Sequence, residues 1–172
     1  MLKSRQQKDV QLKGNILTGY SIRRYESFSD CPSYSSVNST IKNQQVSDWG
    51  IHILFKQSPD GSIIIGDSHE YFAADESDSL DYKTNHQINE CILNEAKQIL
   101  NLEEWHIEES WSGFYCQNNT QKITMKSLSP ALHLVTGIGG KGMTTSAGLT
   151  EKVIEELFSK DNLTDLAIAL AE

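Results

Sequence analysis

Two stretches of this chain carry residue types that can do chemistry. In the first, a strand-like Leu132-His133-Leu134-Val135-Thr136 runs into Gly137-Ile138-Gly139-Gly140-Lys141-Gly142-Met143-Thr144, and a helix-forming stretch follows. A helix N-terminus presents unpaired N–H groups and a partial positive charge. Glycines ahead of it let a ligand come close to the main chain. Such a loop suits an anion, or an electron-rich heterocycle that becomes anionic. It is not a Walker loop, because Gly142 follows Lys141 where Ser or Thr is required. Gly137, Gly139, Gly140 and Gly142 fit the dinucleotide fingerprint only loosely. By itself the stretch reads equally as a structural turn or as a binding loop.

The second stretch is Gly66-Asp67-Ser68-His69-Glu70. Adjacent Asp, Ser and His do not make a catalytic triad, whose members converge from separate elements. Asp67, His69 and Glu70 resemble a metal set, but side chains alternate along a strand and no second ligand pair has recognisable spacing. No metal is therefore expected. A strand end with a satisfied polar cluster is one reading. The other is a pocket rim, with His52 on the neighbouring strand turned to the same face as His69. Two histidines there can bind an anionic substrate or shuttle a proton. A third feature, Trp111-Ser112-Gly113-Phe114-Tyr115, reads as an aromatic core strand. Gly113 between large residues marks a close approach of backbone or ligand.

The elements that must position these residues follow from periodicity. Residues 1–46 are polar and read as irregular, with Tyr20–Tyr25 and Phe28 as ordered anchors and Pro32–Ser36 as loop. From Trp49, apolar Trp49, Ile51, Ile53 and Phe55 alternate with other residues, Ser58-Pro59-Asp60-Gly61 supplies a turn, and Ser62–Gly66 returns. The β-branched run Ile63–Ile65 predicts burial on both faces. An acidic loop spans Asp75 to Asp81. Asn85–Leu102 reads as a helix with Ile88, Ile92, Ala96 and Ile99 in one stripe beside Cys91. Trp105–Cys116 and the stretch around Ile123 and Met125 read as strands, and Leu132–Thr136 as a buried strand. Thr144–Ser159 reads as a helix with Leu149, Val153 and Leu157 on one face, and Leu163–Leu170 as a short terminal helix. The pattern predicts an α+β fold with a mixed or antiparallel sheet, closed by a strand–glycine loop–helix.

Composition narrows the class. Of 172 residues 38% are hydrophobic and 22% charged, and the formal net charge is −8. That balance fits a globular protein and speaks against a nucleic-acid partner, which would meet a basic face. No apolar run reaches membrane-span length, and no signal peptide follows the basic N-terminus. The three cysteines, Cys31, Cys91 and Cys116, are widely spaced and read as reduced thiols of a cytoplasmic protein.

Taken in order, these pieces resemble one family. The hairpin with Gly66-Asp67-Ser68, the helix, Trp111-x-Gly113, and Val135-Thr136-Gly137-x-Gly139-Gly140-x-Gly142-Met143-Thr144 with its helix look like the C-terminal half of FAD-dependent oxidoreductases of the D-amino-acid oxidase/glycine oxidase class. Arg24-x-x-Ser27-Phe28 and Gly66–Tyr71 resemble a bacterial subgroup associated with aminophosphonate breakdown. The resemblance implies a substrate-binding domain over residues 1–110 and the C-terminal part of an FAD-binding domain over 111–172. It implies that Gly139, Gly140, Lys141, Gly142, Met143 and Thr144 line the flavin ring, and that His52, His69, Tyr115 and Arg24 face the substrate.

Two departures qualify it. No dinucleotide-binding fingerprint is present in the chain, so the ADP part of FAD has no cradle there. And Tyr115 stands where the family's carboxylate-gripping arginine is found, two residues after Gly113. The expected protein is thus a fragment of an amine oxidoreductase, inactive by itself and not retaining FAD, with a small amine, such as an aminophosphonate, as the substrate of the intact enzyme. Self-association through a bared FAD-domain face is expected, and the resemblance assigns no catalytic residue. The alternative from another class is a non-catalytic α+β module holding a small anionic ligand between His52 and His69.

Overall fold

The computed structural model describes residues 1–23, 28–39, 43–118, 120–121 and 123–159. They belong to two compact units, Met1–Gly113 and a second that begins at Phe114. The fold is α+β, and every strand pair is antiparallel.

The first unit holds strands β1 (Leu2–Ser4), β2 (Ile16–Leu17), β3 (Leu54–Gln57), β4 (Ile63–Gly66) and β5 (Ile107–Ser110), in the order β2-β3-β4-β1-β5. Its helices are α1 (Tyr20–Arg23), α2 (Tyr34–Ser39), α3 (Gln44–Asp48) and α4 (His86–Ala96). The register lines up Ile16, Phe55, Ile65 and Leu2 as direct cross-strand neighbours in one row. Opposed residues share a face. Phe55, Ile65 and Leu2 are buried, together with Ile51, Ile53, Ile63 and the α4 residues Ile88, Cys91, Ile92 and Ala96. This is the core.

The next row holds Lys56, Ile64, Lys3 and Glu109. The opposite face is therefore charged, and Ile64 is only partly covered. The expected burial of Ile63–Ile65 on both faces is corrected accordingly: its neighbours across the sheet are lysines. Lys3 Nζ lies 3.4 Å from Asp60 and 3.5 Å from Glu109.

Other expectations also change. The N-terminus is not irregular, because β1 occupies the sheet between β4 and β5. Three residues carry no readable alternation. Burial of Leu2 and the bond from Ile63 N to Ser4 Oγ (2.9 Å) hold them, and both are long-range. Pro32–Ser36 is not all loop, since α2 starts at Tyr34. The hairpin strand begins at Leu54 rather than Trp49, although Ile51 and Ile53 are buried as the alternation requires. The acidic stretch forms a 3₁₀ turn over Ala74–Ser79. Helix α4 begins after Asn85, whose side chain accepts from Gln87 N (2.9 Å), and stops at Ala96, so Ile99 lies beyond it and is exposed.

The second unit contains the hairpin β6 (Thr124–Ser129) and β7 (Leu132–Thr136), a 3₁₀ turn over Gly139–Lys141, and helix α5 (Gly142–Leu157). Strand β7 matches the expected span but is not buried: Leu132, Leu134 and Val135 are exposed, because β7 pairs with β6 in a two-stranded sheet. In α5 the stripe is as expected, with Val153 buried and Leu149 and Leu157 half-buried. The expected strand through Trp111–Cys116 is absent. Trp111, Phe114 and Tyr115 are exposed, and Gly113 has open space where a side chain would stand. Periodicity misleads there because the segment joins two units instead of crossing a core. The expected helix at 163–170 lies outside the described residues.

Candidate functional site

The ends of β3 and β4 build the first candidate. Beyond the Leu54–Gly66 pair the strands stay bonded with a register shift of one residue, His52 N donating to Asp67 O (3.1 Å) and Asp67 N donating to His52 O (2.7 Å). Their side chains consequently emerge on one face. His69 N donates to Trp49 O (2.9 Å) and brings a second imidazole alongside. Gly50 beside it takes φ +54°, a left-handed conformation that glycine adopts freely.

The three side chains converge. His52 Nε2 lies 3.1 Å from His69 Nε2 and 2.9 Å from Asp67 Oδ1, and His69 Nε2 lies 3.5 Å from Asp67 Oδ2. The imidazole rings stack with centroids 5.2 Å apart. On its far side His52 Nδ1 meets Ser21 Oγ at 3.3 Å. The His52 side chain is 8% exposed, His69 12% and Asp67 23%, so the cluster opens to solvent on the Asp67 side. Asp67 Oδ1 is buried without a hydrogen-bond partner. Its 2.9 Å approach to His52 is an ion-pair distance whose alignment is not that of a hydrogen bond. The Met1 ammonium, which donates to Trp111 O (3.1 Å), has its pKa pushed down by burial, and the Asp67 charge offsets part of that.

The glycine loop is the second candidate. Gly137 (φ +79°) and Gly139 (φ +67°) occupy the left-handed region, which ordinary side chains resist. A Cβ on either would also crowd the segment Gln117–Asn118, at 3.1 Å from Gln117 Oε1 or Asn118 Cβ. That segment is pinned to the loop by Asn118 N to Gly137 O (3.0 Å) and Gly139 N to Cys116 O (3.1 Å). Helix α5 then starts with no side-chain cap and no acidic residue in its first turn. Met143 in that turn is fully exposed. An apolar recess of about 270 Å³ lies between β7, the loop and α5, lined by Val135, Ile138, Leu149 and Val153 among others.

Of the sequence-predicted substrate residues, His52 and His69 come together in the first unit. Tyr115 is exposed in the second. Arg24 lies outside the described residues. Gly139–Thr144 form one continuous turn and helix start. Ser21 belongs to the stretch that the sequence marks as an ordered anchor but carries no sign of its role beside His52, and the metal-like set Asp67, His69 and Glu70 read from the sequence has His52 in place of Glu70 in the structure. Strand alternation marks His52, but no local signal ties Ser21 to it, because their separation of 31 residues is closed only by the fold.

The family model described as FAD dependent oxidoreductase (DAO) matches residues 17–155, more than half of the chain. No curated protein and no solved structure matches it. Among the described residues no helix is long and apolar enough to cross a membrane. The matched stretch contains both the histidine–aspartate cluster and the glycine loop, and the chain belongs to the family of FAD-dependent oxidoreductases.

Proposed function

We propose that this chain supplies the substrate side and the flavin-ring side of an FAD-dependent oxidoreductase acting on an amine. One observation carries the reading: an uncapped helix start free of acidic residues, behind two left-handed glycines, inside the family-matched stretch. These residues fit the flavin. The turn Gly139–Lys141 and the first turn of α5 offer main-chain dipoles to negative charge, and exposed Met143 offers apolar contact to a flat ring. FAD, when bound, supplies the acceptor for hydride leaving the carbon that bears the amine. Gly139–Thr144 stabilise charge that develops beside them. His52 and His69 face the substrate, and Arg24 joins them on the resemblance alone.

Tyr115 in place of an arginine, with the Gly66–Tyr71 motif, supports an amine whose anionic group is not an ordinary carboxylate, an aminophosphonate being the example. Asp67 beside the two histidines argues against the rival module that holds a free anion, because its carboxylate would repel one. Three free cysteines support a cytoplasmic location.

Because the sequence carries no dinucleotide fingerprint, the 172-residue chain by itself retains no stoichiometric FAD through gel filtration. Anaerobic calorimetric titration with oxidised and reduced FAD tests the loop. Reduced FAD binds more tightly than oxidised, and Gly139→Val removes the difference. Yellow protein with one flavin per chain would overturn the weak-retention reading. Equal affinity for both redox states, unchanged by Gly139→Val, would overturn the loop assignment.

A further inference from the structure

The geometry points to a divalent transition-metal site formed by His52, Asp67 and His69, of the zinc or iron(II) type, with its remaining positions open to water. Independent of the flavin reading, it rests on three observations.

The first is spacing. Metal–nitrogen and metal–oxygen bonds of about 2.0–2.2 Å place neighbouring donors of one ion roughly 3.0–3.4 Å apart. The three side chains form a triangle in which His52 Nε2 lies 3.1 Å from His69 Nε2, and the two imidazoles meet different oxygens of Asp67, Oδ1 at 2.9 Å and Oδ2 at 3.5 Å, so one ion would be held by both imidazoles and a carboxylate that offers both oxygens. With one donor atom from each residue, the donors lie within 4.8 Å of one another. The second is unmet valence. Asp67 Oδ1 is buried with no hydrogen-bond partner, and it faces His52 Nε2. Two imidazole nitrogens turned towards each other share at most one proton unless charged, so the centre of the triangle is rich in lone pairs. A cation there satisfies all three donors at once. The third is the outer contact. Ser21 Oγ, at 3.3 Å from His52 Nδ1, can accept its N–H, which leaves Nε2 as the free donor; metal-ligating histidines are oriented this way.

Two imidazoles and one carboxylate are borderline donors that suit zinc or iron(II) over calcium or magnesium. A site with three protein ligands keeps coordination positions open. Here the opening lies on the Asp67 side, the most exposed of the three. Glu70, which stands next to His69 in the sequence, is exposed and is no part of the triangle.

The test uses the full, untagged 172-residue chain, freed of metal by chelator and then titrated with Zn²⁺ by calorimetry and with Co²⁺ by visible absorption. One equivalent binds, and Co²⁺ gives d–d bands without a thiolate charge-transfer band. Asp67→Asn and His69→Gln, both at the open side, each weaken binding at least about tenfold, and Ser21→Ala weakens it about 10–100-fold. His133→Gln, an exposed histidine of the second unit, leaves it unchanged. Circular dichroism of each variant confirms that the fold persists. No binding of either ion would overturn the site. So would binding that survives both ligand variants, or a thiolate band that places the metal on Cys31 or Cys116.

Discussion

His52 and Asp67 are bound to each other twice through the main chain and face each other at 2.9 Å through their side chains. The paired backbone bonds hold the imidazole and the carboxylate on a rigid sheet end, which is a better platform for chemistry than a loop. The same strands run straight into the core through Ile53, Phe55 and Ile65. Site and core are therefore mechanically continuous, and the stability of one supports the geometry of the other.

Phe55→Ala tests that continuity. Phe55 is fully buried in the row with Ile16, Ile65 and Leu2, so its truncation leaves a cavity costing about 3–5 kcal/mol. Ile99→Ala, at a position 45% exposed, costs about 0.5 kcal/mol or less. Urea denaturation followed by tryptophan fluorescence reads both. Equal effects would mean that Phe55 is not a core residue.

Asp60 sets an acid limit. Its Oδ1 accepts from Ser62 Oγ (2.6 Å) and Ser62 N (2.9 Å), and with Lys3 beside it these bonds hold the carboxyl below its usual 3.8. As pH falls the unfolded chain takes up this proton first. The contribution is therefore present above 3.8 and is lost as pH drops through the folded value. In Asp60→Asn the urea midpoint is lower than wild type at pH 7, and it falls less between pH 4 and pH 3. Parallel pH profiles for the two proteins would contradict this.

Cys91 reports on the packing of α4. Burial pushes its thiol pKa above 9.0, Glu95 adds to the rise, and the bond from Asn43 opposes it. A native-state thiol assay at pH 8 finds Cys31 and Cys116, both exposed, reacting first, with Cys91 on the order of tenfold or more slower. All three react alike in denaturant. The raised pKa also means that stability is intact below pH 9.0 and declines as pH rises through the folded value, a decline that Cys91→Ala removes. Three equally fast native thiols would place α4 off the sheet.

Much of the fold was legible where the signal is local. Asn85 marks the start of α4 by its capping oxygen, Ile88, Ile92 and Ala96 mark its buried face, and the Ser58–Gly61 turn marks the hairpin. The helix end was harder, since Ile99 continues the stripe although α4 stops at Ala96. Strand β1 was illegible because Lys3 and Ser4 look like surface residues; Ser4 is buried only because its hydroxyl takes the Ile63 N–H. Burial of Leu132–Thr136 was misjudged because apolar content reports what a strand can bury, whereas a two-stranded hairpin has little to bury it against.

Of the two candidates, the sequence by itself determined the glycine loop as a local form. Its left-handed positions and helix start follow from residues within one short span, and backbone freedom is a local property. Tertiary structure alone decided the histidine cluster. His52, Asp67 and His69 are brought within bonding distance by a strand register, with Ser21 arriving from 31 residues away. Register is a collective outcome of which face the core buries. Strand alternation in the sequence points His52 and His69 to one face, but the joining of Asp67 and Ser21 to them, and the distances that the metal proposal rests on, became visible only once the sheet was in place.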